Sequence, residues 1–433
     1  MRASDLFPRR LTGMTAYTLQ PNLEAPFDEL PWYGPWLRRQ VRSQPQRLLL
    51  CPPGEQLDED SAFDGRFLPL WSKIRQQILL RDLRSIDAIA EALAAGDVPT
   101  SPEQAPEAAQ SARDLVFSVV GWQTMLYKPD FSTYSTGGYT IESEMDGYSG
   151  EARVCLNQHG TSSGSNLADF LLGFGLMLPP RNHCGMSDPD DQALFGQTKV
   201  VVAKDLDAHV LTKVCGLRIQ WVDSLSCHLE LDRQSGTLYV FRYPSFCLAT
   251  LRQHRSQEGS KGGGGGSVLH RCALPQQLGL GVPWASEEDV AELLLEVTLS
   301  YRLIFGQSKR SRVAFRKLRP FADLPSAEHD RVLGQLCGRK RPELPLDLVE
   351  REEYDLAGDF PHIRSKIIRL HGYAASRKPR SLRQLWRDKR DSTAWLAFWS
   401  VLIFGSVSIL LAVVQTIFQI LSYVNDIRGG GSG

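Results

Sequence analysis

The sequence predicts an α+β domain with an antiparallel sheet and flanking helices, followed by one C-terminal transmembrane helix. Three observations predict it. Residues 394–424 (AWLAFWSVLIFGSVSILLAVVQTIFQILSYV) hold no charge. A membrane helix needs about 20 predominantly apolar residues to cross a hydrocarbon core of about 30 Å. Residues 196–250 contain short β-prone runs separated by turn residues, the pattern of an antiparallel sheet. Helical periodicity brackets that stretch, and helices gathered beside such a sheet make an α+β architecture.

Residues 1–65 are rich in Pro and mixed in charge, with aromatic islands at Trp32, Tyr33 and Trp36. They predict a partly ordered N-terminal segment, and its start has no apolar core of secretory type. The domain proper spans residues 66–375. Residues 70–95 read as helical, with Ile86, Ile89, Ala90 and Leu93 on one face, Ser85 as a cap and Gly96 at the end. Residues 97–111 (DVPTSPEQAPEAAQS) have the composition of a loop. Residues 115–127 (LVFSVVGWQTMLY) are apolar on every side and fit a buried strand or a buried helix. Residues 199–203, 209–214 and 217–222 read as short strands. Residues 226–231 and 237–243 flank Asp232-Arg233-Gln234-Ser235-Gly236, a hairpin signal. Leu229 and Leu231 share one face there, as do Leu238 and Val240 on the partner strand. Five consecutive glycines at 262–266 cannot pack, so residues 258–268 form a flexible loop. Residues 286–304 carry an N-cap at Ser286, acids at Glu287, Glu288 and Asp289, and the stripe Val290, Leu293, Leu294, Val297, Tyr301 and Ile304.

The 433 residues carry zero formal net charge, which gives nucleic acid no bulk attraction. The eight cysteines show no CxxC spacing and read as reduced, buried residues. Residues 376–391 predict a basic juxtamembrane helix. Its Arg377, Lys378, Arg380, Arg383, Arg387, Lys389 and Arg390 are placed to meet anionic lipid headgroups, at about 1 kcal/mol per residue. Basic residues beside a span favour the cytoplasmic side, so the domain is expected in the cytosol. The transmembrane helix covers residues 392–425, and the short tail 426–433 ends in GGGSG, the composition of an added linker. Within the span, Gly405, Ser408, Ala412, Gln415, Gln419 and Ser422 recur at spacings of three and four and share one face. Ile403, Leu410, Val414 and Ile417 lie opposite. Small residues let membrane helices approach, and Gln side chains hydrogen-bond between them, so this face predicts a second copy or another membrane subunit as partner.

The remaining motifs are weaker. Gly160-Thr161-Ser162-Ser163-Gly164 matches G-x-S-x-G, in which the Ser of a hydrolase sits between a strand and a helix. Residues 152–156 and 165–178 offer those elements, yet Ser/Gly-rich runs match by chance and a capped loop is the preferred reading. His183, Cys184, Asp188, Asp190 and Asp191, with Cys227 and His228, lack the paired spacing of metal ligands. They read as a polar loop with Asp190 or Asp191 capping a helix. Trp221, Trp284, Tyr239, Phe241 and Tyr243 form an aromatic patch or part of the core. Lys309, Arg310, Arg312, Arg316, Lys317 and Arg319 form a solvated or lipid-facing basic face. No catalytic, cofactor-binding or metal-binding residue is assigned, and no cofactor is expected.

The segments SARDLVFSVVGWQTMLYKPDF, NLADFLLGFGLMLPP, WVDSLSCHLELDRQSGTLYVFRYPSFC and LRQLWRDKRDSTAWLAFWSVLIFGSVSILLAVVQ resemble a family of single-pass membrane proteins of filamentous fungi. The resemblance implies a fungal, single-pass protein and carries over no catalytic residue. The expected role is a tail-anchored, non-enzymatic scaffold or assembly module that self-associates through its span. The alternatives are a homo-oligomeric pore lined by Ser408, Gln415, Gln419 and Ser422, and a membrane-tethered serine hydrolase using Ser162.

Overall fold

A computed structural model describes residues 30–45, 48, 63–80, 84–97, 105–132, 138–144, 156–176, 181–184, 186, 188–258, 267–273, 286–344, 348–377 and 392–429. The chain is α+β: helices make up most of the ordered backbone, and short strands gather in small sheets. The glycine run, residues 378–391, Trp284 and the final tail lie outside the described residues.

α1 (Tyr33–Arg42) places Trp32, Tyr33 and Trp36 in the core. Trp32 stacks on Tyr243 with ring centroids 3.9 Å apart, and the Tyr33 hydroxyl donates to the Trp122 carbonyl at 2.8 Å. The aromatic islands therefore anchor a helix that the sequence assigns to a partly ordered segment. Burying each such ring removes about 150–250 Å² from water, which outweighs the disordering composition around it. A π-helical turn, Phe63–Phe67, leads into α2 (Leu68–Leu79), and α3 (Ile86–Asp97) follows. Ser85 Oγ accepts from the Ala88 N–H at 3.1 Å, the expected cap. α4 (Ala105–Thr124) starts inside the predicted loop. Pro106 stands in its first turn, where no intrahelical N–H bond is lost. The apolar run at 115–127 is the buried helix, not a strand. Its Ser118 and Thr124 hydroxyls donate to carbonyls four residues back at 2.8 Å, which lets polar side chains sit in an apolar helix.

β1 (Gly138–Thr140) pairs antiparallel with β2 (Asn157–His159). α5 (Leu167–Gly173) and α6 (Pro189–Gln197) follow. β3 (Val200–Val202) later meets β7 (Glu353–Asp355), also antiparallel. Residues 209–214 form no strand. They lie in α7 (Ala208–Lys213), started by Asp207, whose carboxylate accepts from the His209 N–H at 2.7 Å, so a local cap overrides β propensity. β4 (Arg218–Val222), β5 (Leu231–Asp232) and β6 (Thr237–Phe241) make one sheet in the order β4-β6-β5. The predicted hairpin forms between β5 and β6, with Leu231 opposite Leu238. Asp232 Oδ1 accepts from the N–H groups of Gln234 and Ser235, and Gly236 adopts φ +65°. Its first arm is shorter than predicted. Leu225–Cys227 is a 3-10 turn, and Leu229 is left-handed at φ +58°. β4 pairs with β6 in parallel, so this sheet is mixed.

α8 (Pro244–Glu258), α9 (Val268–Cys272) and α10 (Glu287–Tyr301) continue the core. α10 opens on the predicted cap, completed by reciprocal bonds between Ser286 and Asp289. It ends in a π-helical turn, Arg302–Gly306, followed by α11 (Lys309–Leu318) and α12 (Arg331–Gly338). Arg302 is fully buried and donates to Glu350 and to the carbonyls of Leu336, Arg339 and Lys340. A Cβ at Gly306 would collide with that guanidinium. α13 (Leu356–Asp359) and α14 (Arg364–Ser376) precede α15 (Ser392–Gly429). In α15 the window Leu396–Asn425 has mean hydropathy 2.4 and no buried residue. By length and composition α15 can cross a membrane: at 1.5 Å per residue it is about 57 Å long, against a core of about 30 Å.

His254 of α8 and His270 of α9 stack with centroids 4.4 Å apart. Burial first, and His254 second, pull His270 from its usual range down to about 3. The unfolded chain binds that proton more readily, so His270 contributes stability above about pH 6.5, and the contribution is lost as pH falls toward about 3. The thermal midpoint is expected to drop between about pH 6.5 and pH 4, with a shallower drop in His270→Phe. Identical slopes in the two proteins would assign the acid sensitivity to other groups.

Candidate functional site

A cleft of about 350 Å³ lies along the outer strand of the mixed sheet. Its floor is β4, from Arg218 to Trp221, with Ser235 and Thr237 at one end. Its far wall is Arg319, Pro320 and Asp323. The parallel ladder directs Arg218 N–H to the Gly236 carbonyl and Val222 C=O to the Arg242 N–H, both at 2.9 Å. The alternate amides, those of Ile219 and Trp221, therefore turn toward the open edge. The Trp221 indole packs on Phe305 and Phe315, and its buried Nε1 has no hydrogen-bond partner among the described residues.

Arg242 joins the floor to the wall. Its guanidinium donates to both Asp323 carboxylate oxygens at 3.0 and 3.1 Å, to the Pro320 carbonyl at 3.4 Å and to the Trp221 carbonyl at 3.2 Å. Its Nε forms a 2.8 Å ion pair with Asp223 Oδ1. Asp223 is 4 % exposed and also faces Lys128 at 3.8 Å, Arg39 at 3.9 Å and Trp36 Nε1 at 3.3 Å. Lys128 is half-buried, which opposes its charge. Glu144, Asp223 and Glu142 outweigh that and hold the ammonium above the usual lysine range. The charges behind the cleft thus compensate one another.

In front of it, Arg218 donates to the Ser235 carbonyl at 3.3 Å and is answered by the nearby Asp232 carboxylate. Arg218 and Arg319 are exposed on opposite rims, while Asp323 is engaged by Arg242. Arg319 ends α11 with φ +43° and ψ +67°, the left-handed conformation that glycine normally supplies at a helix C-terminus. A non-glycine residue held there costs about 1–3 kcal/mol. Its side chain makes no hydrogen bond or ion pair among the described residues. Among the lining residues the one carboxylate, Asp323, is engaged by Arg242, and the cationic rim residues are Arg218 and Arg319. The complement of the cleft is an anionic group, with amide acceptors or donors to meet the open edge of β4.

The sequence-predicted residues disperse. Ser162 lies in a 3-10 turn, Gly160–Gly164, and its Oγ donates to the His159 carbonyl at 2.6 Å. His159 Nδ1 turns to Thr161 instead, and residues 152–155 lie outside the described residues. Asp188, not Asp190 or Asp191, caps α6, and the buried Asp191 pairs with Arg233 at 2.6 Å. His228 is buried between Ser300 Oγ and the Phe241 N–H, apart from His183 and Cys184. Tyr239, Phe241 and Tyr243 are core residues, and Trp221 is the described member of the aromatic group at the cleft. Of the basic face on α11, Arg319 reaches the cleft, Lys309, Arg310, Arg316 and Lys317 are exposed, and Arg312 donates to the Gly306 and Gln307 carbonyls. Arg377 stacks on Tyr373 at 4.8 Å. The other six residues expected to meet lipid lie outside the described residues. Arg218, Gln220 and Asp323 gave no sequence signal, because a parallel pairing across 14 residues of intervening chain brings the cleft together.

Two variants separate the structural role from the binding role. Asp223→Ala removes the carboxylate that Arg242, Lys128 and Arg39 share and is expected to lower stability by about 3–5 kcal/mol, measured by denaturant unfolding. Arg319→Gly is expected to raise stability by about 0.5–1 kcal/mol while weakening the binding of a labelled oligoglutamate peptide. Stability lowered in Arg319→Gly would show that the arginine serves the fold.

No protein-family model, curated protein or solved structure matches the chain.

Proposed function

We propose that the chain is a membrane-anchored, non-enzymatic assembly module. It self-associates through α15 and offers its α+β domain, on the cytosolic side, to an anionic partner segment at the β4 cleft. The observation that carries this reading is the unshared hydrogen-bonding capacity along one face of α15. Ser400, Ser406 and Thr416 donate to the carbonyls four residues back at 2.7–2.8 Å. Ser408, Gln415, Gln419 and Ser422 make no hydrogen bond through their side chains among the described residues. In hydrocarbon an unsatisfied polar group costs several kcal/mol, and a second helix supplies partners. Gly405 and Ala412 on the same face permit close approach. A Cβ at Gly405 would meet nothing within 4 Å, so the fold of this chain does not itself require that glycine.

The basic residues before α15 support the cytosolic orientation. The resemblance to single-pass proteins of filamentous fungi agrees with a single anchored module. Arg218 and Arg319 give the domain a cationic rim that an acidic segment fits.

Replacing both Gln415 and Gln419 with Leu is expected to weaken self-association by about 1–4 kcal/mol while leaving insertion intact, since each interhelical polar contact contributes about 0.6–2 kcal/mol. Exchanging Leu410 and Ile417 for other apolar residues is expected to change little. Crosslinking in mild detergent compares the two double mutants. Equal oligomer content in wild type and the Gln double mutant would sink the association reading.

A further inference from the structure

A set of metal-type ligands lies outside the cleft, where α10 begins and α14 approaches it. Asp289 and Glu292 stand three residues apart on α10 and so share a face. His362 comes from the turn before α14. The ligand atoms of all three lie within 4.8 Å of one another. His362 Nε2 is 3.4 Å from Glu292 Oε2 and 3.8 Å from Asp289 Oδ1. Adjacent ligands of a tetrahedral zinc bound at its usual distances stand about 3.3–3.5 Å apart. Of the three pairs, His362–Glu292 already has that spacing, His362–Asp289 needs a closure of a few tenths of an ångström, and Asp289–Glu292 lies within 4.8 Å.

Two of the three ligands are held from behind, the arrangement that sets ligands in metal sites. The main-chain N–H of His362 donates to both oxygens of Glu296, at 3.1 and 3.0 Å, and Ile363 N–H donates to Glu296 at 2.9 Å. The His362 side chain is 1 % exposed, which separates this set from an acidic surface patch. Asp289 Oδ2 is fixed by Ser286 N–H at 2.6 Å, leaving Oδ1 toward the imidazole. Both carboxylates are half-exposed and give an ion a path in. Arg181, 53 % exposed, lies 3.3 Å from Glu292 Oε2 and is the cation an ion would displace.

We propose that Asp289, Glu292 and His362 bind a divalent cation of the zinc class. One imidazole with two carboxylates suits zinc, whereas calcium and magnesium favour all-oxygen sets. The ion would staple α10 to the turn that starts α14, the last helix described before α15. This inference is independent of the association reading.

The test titrates Zn²⁺, Mg²⁺ and Ca²⁺ into chelator-stripped, full-length protein in mild detergent by calorimetry. Wild type is expected to bind one Zn²⁺ that Glu292→Gln and His362→Gln weaken by about tenfold or more. Arg181→Ala is expected to tighten it several-fold, and Cys184→Ser to leave it unchanged. Zn²⁺ is expected to raise the unfolding midpoint of wild type but not of Glu292→Gln, a half-exposed change that keeps the metal-free fold. Unchanged Zn²⁺ affinity in Glu292→Gln, no uptake by wild type, or Mg²⁺ binding as tight as Zn²⁺ would each overturn the proposal.

Discussion

The buried carboxylate of Asp223 is the constraint on which the cleft depends. An isolated charge at 4 % exposure costs several kcal/mol unless cations answer it. Here they come from three separate segments: Arg39 on α1, Lys128 after α4 and Arg242 after β6. The same carboxylate aims Arg242 at Asp323 and Pro320, and so sets the distance between floor and wall.

Two arginines show how environment separates structure from binding. Arg302 is sealed inside, and its guanidinium is spent on Glu350 and three carbonyls at the end of α12 and just beyond. It satisfies helix-terminal acceptors that would otherwise be buried without donors. Arg319 is exposed and strained, with its charge uncommitted toward the cleft. The first arginine is explained by the fold alone. The second occupies a glycine position without serving the helix it ends, and backbone strain of that kind gathers at functional positions.

Local patterns were legible wherever one residue decides a local geometry. The Ser85 and Ser286 caps, the Gly236 turn and the apolar stripe of α10 all read directly from sequence. The misreadings share a cause. Residues 97–111 look like a loop, yet α4 begins at Ala105. Residues 209–214 look like a strand and fold as α7. In both, burial against distant elements or one capping carboxylate outweighed weak intrinsic propensity. The cleft was invisible for a related reason: Arg218 and Arg319 are ordinary surface residues until pairing and the αL turn oppose them.

By itself the sequence determined the α+β class, the hairpin turn, the capped helix α10 and an apolar helix long enough to cross a membrane. Each follows from periodicity, length or a single cap within one segment, and needs no knowledge of distant neighbours. Only the tertiary structure decided the parallel β4–β6 pairing, the docking of α1 and the convergence of Asp289, Glu292 and His362. The physical reason is that these depend on which buried charges and rings find partners far along the chain. His362 and Glu292 are 70 residues apart, and no local pattern encodes a meeting that burial and chain closure impose together.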